Sequence, residues 1–301
     1  MKTLGRAIIC VVLAGVAPGC ERMFATRIVN SVTIGGKFVL AVQGSPQGLI
    51  DKGRIDAERR VVAADGTEID AWVIKARRRP GPASRKATVV VIHPMMMSKG
   101  WFFSLGERLA DDGWDVVLPD LRAHGASGGK YITWGAKEKH DIKAVVDAMI
   151  VEKLIEPRVF VMGASLGGCV AIQYAAVDSR CEGVLSLSPP TGVKGAARLI
   201  FPLATRGWLA RTIVHAGEIA DFDPADASAL DAAADLKCPI ILAHGRLDFI
   251  VPHSHSDRIY AAAGGPRKLI SLPLATHSTV QIGREGWIVE QMSALTKMAG
   301  P

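Results

Sequence analysis

The sequence predicts an α/β protein built on one mostly parallel, eight-stranded sheet with helices on both faces. Three observations carry this. Two β-like runs flank Asp65-Gly66, a dipeptide suited to a tight hairpin. From there to the end of the chain, apolar runs of strand length alternate with helical stretches, a pattern that pairs strands in parallel through right-handed crossovers. The unbroken run Ala87-Thr88-Val89-Val90-Val91-Ile92 has the character of a strand covered on both faces rather than one wetted side.

Taken in order, residues 57–64 and 67–76 form the two antiparallel strands, and a basic loop with two prolines, Arg77 to Lys86, leads to the third strand at 87–92. A helix at about 101–112, a strand at 115–118, a helix at about 136–153 and a strand at 158–162 follow. Leu166 to Val177 reads as helix, 183–187 and 240–243 as strands, 255–263 as helix, 268–271 as the last strand and 284–297 as the closing helix. The stretch between Pro189 and Leu236 is not needed by this repeat. Residues 20–56 read as a spacer with no assigned structure.

Composition narrows the class. In 301 residues there are 36 Lys and Arg against 29 Asp and Glu, a formal charge of +7, and nearly half the residues are apolar. A chain of this length can bury a substantial core as one large domain or two small ones, and the strand–helix pattern assigns residues 57–301 to one. The excess charge is spread out, with no basic stripe interleaved with aromatics, so nucleic acid is not an expected partner. Five cysteines without C-x-x-C spacing exclude a disulfide scaffold and a zinc ribbon. At the N-terminus Lys2 and Arg6 precede an apolar run from Ala7 to Ala17, too short for a confident span, which reads as an export signal over residues 1–19. Its end, Ala17-Pro18-Gly19-Cys20, resembles the bacterial lipoprotein cleavage box. That resemblance implies lipid on Cys20, attachment to a membrane through it, and a cell-envelope location. A plain secretory signal and an uncleaved anchor are the alternatives.

The chemistry is carried by segments at strand ends. Gly163-Ala164-Ser165-Leu166-Gly167 fits G-x-S-x-G, but so does Gly125-Ala126-Ser127-Gly128-Gly129, so context decides. Ser165 directly follows one strand and opens a helix, the sharp turn that exposes a nucleophile at a sheet edge. Ser127 has neither neighbour and reads as structural. A serine hydroxyl needs a base, and the base an orienting carboxylate. Asp248 follows the strand ending at Ala243, and His277 follows the strand ending at Ser271, so all three lie past the carboxyl ends of parallel strands, where open sheets bind ligands. Asp221 and Asp223 compete with Asp248 for the acid.

With Asp120-Leu121-Arg122-Ala123-His124-Gly125-Ala126-Ser127 and Gly245-Arg246-Leu247-Asp248-Phe249-Ile250-Val251-Pro252, these segments resemble the α/β-hydrolase superfamily over roughly residues 57–298. The resemblance implies Ser165 as nucleophile, His277 as general base and acid, and Asp248 as its orienting partner. It also implies an oxyanion hole from the backbone N–H groups of Leu166 and Met95, because His93-Pro94 stands where a donor is usual and proline has none. His93 resembles the superfamily's structural histidine. No cofactor or metal is implied. The expected reaction is hydrolysis of small carboxylic esters with short to medium acyl chains through an acyl-enzyme. Amide or peptide hydrolysis, acyl transfer and a non-catalytic envelope protein of the same fold are the alternatives.

Remaining features have plain readings. His253 and His255 read as a solvated helix entry without the ligands of a metal site, and the arginines at 77–79 as a solvated loop. Cys169 and Cys238 read as small buried hydrophobes. Residues 190–236 form either a cap over the active edge or a crossover helix with a long loop. Pro202 and Gly207 are expected to break the segment into short helices, and Trp208 and Met95-Met96-Met97 to wall the acyl site.

Overall fold

The computed structural model describes residues 20–30, 45–77 and 87–300, so the stretch expected to be a leader and most of the basic loop, Arg78 and Arg79 included, lie outside the described residues. Strands β1 (Ala57–Val62) and β2 (Glu68–Ile74) form the antiparallel hairpin, with Ala57 opposite Val73 and Val62 opposite Glu68. The turn closes at the Asp-Gly pair, where Gly66 adopts φ +80°, a backbone state that costs glycine little. The strands β3 (Thr88–Ile92), β4 (Asp115–Pro119), β5 (Val159–Ala164), β6 (Cys181–Leu187), β7 (Ile240–Gly245) and β8 (Arg267–Leu272) follow in the chain. The sheet has eight strands in the order β1-β2-β4-β3-β5-β6-β7-β8 and is parallel from β4 onwards. β3 is the switch point: the chain leaves it for β4 on one side, then returns to build β5 on the other.

Alternate residues of the central strands feed two separate cores. Val90, Ile92, Val117 and Val161 face one side, and Val89, Val91, Val116, Leu118 and Met162 the other. Because both faces are covered, the strands read as continuous apolar runs. Helices α4 (Glu138–Val151) and α5 (Leu166–Val177) cover the first face, and α3 (Phe103–Asp111) and the last helix, α10 (Glu285–Ala299), the second.

The segment expected to be a bare spacer carries structure at both ends. Helix α1 (Glu21–Val29) packs Phe24, Ala25, Ile28 and Val29 into the first core, while α2 (Pro46–Asp51), capped by Ser45, puts Leu49 into the second. The partner of α1 is the 190–236 stretch, which folds as α6 (Val193–Ile200), α7 (Arg206–Ala220), a 3-10 turn and α8 (Ala229–Asp235). Phe24, Phe201 and Trp208 meet edge to face with ring centroids 5.2–6.0 Å apart. Arg211 donates to Glu21 at 2.8 Å, and Trp134 Nε1 donates to the Ile28 carbonyl at 2.7 Å. The helix break falls at 201–205, around Pro202, but Gly207 sits inside the first turn of α7, whose N-cap is Thr205. Among the described residues no helix is long and apolar enough to cross a membrane.

Candidate functional site

Ser165 occupies the turn between β5 and α5 with φ 53° and ψ −118°, a conformation that L-residues rarely adopt and that only surrounding structure can hold. The neighbouring glycines explain how the turn closes. A Cβ on Gly167 would lie 2.2 Å from the Ile92 carbonyl oxygen, one on Gly163 2.2 Å from the Gly167 carbonyl oxygen, and one on Gly168 2.6 Å from Ser186 Oγ. The spacing G-x-S-x-G-G is thus a steric requirement of packing α5 against β3, β5 and β6.

The structure brings the three expected side chains together. Ser165 Oγ lies 2.9 Å from His277 Nε2, and His277 Nδ1 lies 2.7 Å from Asp248 Oδ2. A carboxylate only accepts, so Nδ1 carries the proton and donates to Asp248, which leaves Nε2 to accept from the Ser165 hydroxyl. The Asp248 and His277 loops are tied side by side, since Leu247 N–H donates to the Ala275 carbonyl at 3.0 Å.

Asp248 is more heavily held than the spacing implied. Its Oδ1 accepts the amides of Ile250 and Val251 at 3.0 and 2.8 Å, and Oδ2 lies 3.2 Å from His244 Nε2. Burial works to raise this carboxyl, but the hydrogen bonds from His244 and His277 outweigh it and keep it well below the usual carboxylate range. His244 is a participant that sequence reasoning missed. Its Nε2 donates to the Val251 carbonyl at 2.8 Å and shares that proton with Asp248, while Nδ1 accepts from Ser256 at 2.7 Å. The only signal for it was its place four residues before the acid. Asp221 and Asp223 are elsewhere: Asp221 pairs with Lys137, and Asp223 caps the 3-10 turn at Pro224–Asp226.

The amides of Met95 and Leu166 make no hydrogen bond among the described residues, in contrast to Met96 N–H, which donates to His124 Nε2 at 3.3 Å, and Met97 N–H, which donates to the Pro94 carbonyl at 3.3 Å. Leu166 is the first residue of α5, so its N–H is one of the donors a helix leaves free at its positive end. Met96 holds φ 69°, which fixes the bend after β3. His93 is fully buried, donates from Nδ1 to the Pro94 carbonyl at 2.9 Å and accepts Leu121 N–H on Nε2 at 3.0 Å. Burial holds it well below an ordinary histidine, so it stays neutral and ties the β3 bend to the β4 turn.

That turn is structural. Lys99, 1% exposed, bridges Asp70 and Asp120 at 2.5 and 2.8 Å, and Asp120 also accepts Ala126 N–H. Ser127 Oγ donates to the Asp120 carbonyl and accepts Asp70 N–H, so its hydroxyl is used in holding the turn. The pair expected to be solvated at the α9 entry (Ser254–Ala262) is instead buried. His253 sits between Asp257 and Ser271, and His255 Nδ1 accepts Thr191 N–H at the root of the insertion. That long-range partner lies 64 residues away, and nothing near His255 announced it. Among the described residues no group of His, Cys, Asp or Glu could hold a metal ion.

Comparisons with known proteins agree with this architecture. A family model described as serine aminopeptidase, S33, matches residues 83–218. The uncharacterized protein YfhR of Escherichia coli K12 is 24% identical over 235 residues, covering 76% of each chain. Among solved structures, the Pyrococcus furiosus esterase Pf2001 superimposes with a TM-score of 0.64 at 24% identity, covering 83% of this chain and 96% of that one. Est1E from Butyrivibrio proteoclasticus, solved with ferulic acid bound, gives a TM-score of 0.61 at 19% identity over 80% and 99% of the two chains. The strand order with its switch at β3, the strained serine turn and these likenesses together make this a protein of the α/β-hydrolase fold.

Proposed function

We propose that the protein hydrolyses carboxylic esters through an acyl-enzyme on Ser165. The observation that carries this reading is the continuous hydrogen-bonded line from Ser165 through His277 to Asp248, ending on a serine held at positive φ. His277 Nε2 takes the Ser165 proton as Oγ attacks the ester carbonyl, and Asp248 stabilises the imidazolium that forms. The oxyanion develops against the N–H groups of Leu166 and Met95. Collapse expels the alcohol, protonated by His277. A water then repeats the sequence on the acyl-serine and releases the acid.

Side chains near the catalytic edge support this substrate class. Phe249 is 88% exposed and Leu274 85%, with Ile250 and Met96 also exposed, so apolar groups approaching this edge meet apolar side chains. Short to medium acyl chains fit such a border. The S33 match favours a second reading, hydrolysis of an N-terminal peptide bond, a reaction that additionally needs an anionic partner for the substrate's ammonium.

A fluorophosphonate probe and a series of p-nitrophenyl esters from acetyl to hexanoyl, run beside aminoacyl anilides, test this. Ser165→Ala loses labelling and turnover, while Ser127→Ala keeps both. Each added methylene raises kcat/KM by up to about fourfold, the equivalent of about 0.8 kcal/mol. Labelling that survives in Ser165→Ala refutes the nucleophile. Turnover of anilides without esters selects the peptidase.

A further inference from the structure

Cys181 opens β6, and Cys238 lies two residues before β7. The two strands are parallel neighbours: Val184 stands opposite Ile240, and Val184 N–H donates to the Pro239 carbonyl at 3.0 Å. Counting back along both strands brings residue 238 level with residue 182. At that point the ladder with β5 slips, because Val159 pairs with Cys181 but Phe160 with Gly183, so Glu182 is an inserted residue beside Cys181. Both cysteines pack against one apolar cluster, that of Val184 and Ile240, Cys181 buried and Cys238 half-buried. Neighbouring strands lie about 4.8 Å apart and each residue rises about 3.3 Å, so the diagonal from residue 238 to Cys181, one position from level, is about 5.8 Å, inside the span of about 4.4–6.8 Å that a disulfide bridges between Cα atoms.

We propose that Cys181 and Cys238 form an intrachain disulfide on meeting a small disulfide such as oxidised glutathione, stapling β6 to β7 at the sheet end opposite Ser165. The inference stands apart from the hydrolase reading, since neither sulfur belongs to that site.

The chemistry of the pair sets the order of events. Burial pushes the Cys181 thiol, which donates to the Gly183 carbonyl at 3.6 Å, well up, while the neighbouring Cys181 pulls the Cys238 thiol down. Cys238, the more exposed of the two, therefore supplies the thiolate. It attacks one sulfur of the glutathione disulfide, giving a Cys238–glutathione mixed disulfide and one glutathione thiolate. Cys181 then passes its proton to solvent and attacks the Cys238 sulfur, expelling the second glutathione thiolate. Two protein thiols are oxidised, one glutathione disulfide is reduced to two thiols, and no other oxidant is required. Cys169 takes no part, because it is fully buried, its sulfur accepts from Gln173 at 3.3 Å, and burial pushes its thiol up to about 12.

The bridge would close a loop of roughly 60 residues containing the whole 190–236 insertion, which in the chain-entropy picture lowers the unfolding constant about 10³-fold. The full chain, reduced and then treated with oxidised glutathione, is alkylated and mapped by non-reducing peptide mass spectrometry. Peptides carrying Cys181 and Cys238 are expected to be joined, Cys169 is expected to alkylate only after unfolding, and the urea midpoint of the oxidised protein is expected to exceed that of the reduced one. Cys181→Ser should stop as a stable glutathione adduct at Cys238, and Cys238→Ser should leave Cys181 unmodified. Wild-type protein that stops at the Cys238 adduct, or that shows the same midpoint in both states, overturns the proposal. A Cys181→Ser protein that takes no glutathione overturns the order of attack.

Discussion

Asp248→Asn is the substitution whose outcome the structure defines most tightly. Asp248 Oδ1 accepts two backbone amides, from Ile250 and Val251, at 3.0 and 2.8 Å. In the variant those donors hold the amide oxygen at the Oδ1 position and so force the NH2 to the place of Oδ2. There it faces His277 Nδ1, 2.7 Å away in the wild type, and His244 Nε2, 3.2 Å away, which is already a donor to the Val251 carbonyl. An NH2 cannot accept, so His277 must present a bare Nδ1 to it and carry its proton on Nε2. That tautomer cannot take the Ser165 proton. The change adds or removes no heavy atom, so the fold should persist, while kcat for a p-nitrophenyl ester should fall about 10⁴-fold, a barrier increase of about 5.5 kcal/mol. Steady-state rates with circular dichroism as a check on folding measure it, with Asp223→Asn expected at the wild-type rate. A loss of less than tenfold in Asp248→Asn, or a large loss in Asp223→Asn, would falsify the assignment of the acid.

Two further outcomes follow from packing and titration. Trp208 is 2% exposed between Phe24 and Phe201, so Trp208→Ala should cost about 3–5 kcal/mol of stability rather than act chiefly on KM for long acyl chains; an unchanged urea midpoint would refute this. His255 is pulled down to about 4 by burial and then by Arg258 and His244, against the opposing pull of Asp248, from an ordinary 6.5. The neutral ring's contribution is thus complete above pH 6.5 and is lost as pH falls towards 4. Thermal midpoints should decline across that window, and His255→Asn, which keeps an acceptor for Thr191 N–H but does not titrate, should flatten the decline; parallel profiles for the two proteins would show that the ring is not the titrating group.

What the sequence made legible is what local patterning encodes. The Asp-Gly turn marked the hairpin, and the doubly covered strands showed as apolar runs, because each feature is set by residues within a few positions of one another. The serine turn could be chosen over its decoy because Ser165 alone joins a strand to a helix; the steric reason, three glycines each facing backbone or Ser186, appears only once β3 and β6 are in place. The features that escaped depend on distant partners. The apolar stripe of α1 is short and finds its complement in Phe201 and Trp208, far along the chain. His253 and His255 sit beside polar neighbours that suit a wet surface, and burial comes from Ser271 and Thr191. His244 gains its role only because β7 ends where its ring and the Asp248 carboxylate meet. Cys238 looks like a lone small hydrophobe until the register of β6 against β7 sets Cys181 beside it.

The packing of α1 constrains how a leader could be removed. The helix begins at Glu21, directly after Cys20, and its first turn already contributes: Glu21 is 3% exposed and accepts from Arg211, and Phe24 fills the space between Phe201 and Trp208. Cleavage before Cys20 would keep every one of these contacts. Cleavage beyond Phe24 would open a cavity of aromatic size between α1 and α7, with a cost of about 3–5 kcal/mol, and would leave Arg211 without its carboxylate. It would also loosen the backbone link from Ile132 to Val29 and the indole bond from Trp134 to Ile28, which hold the segment between β4 and α4. A cut beyond Phe24 therefore removes contacts that brace the insertion, whereas a cut before Cys20 removes none of them.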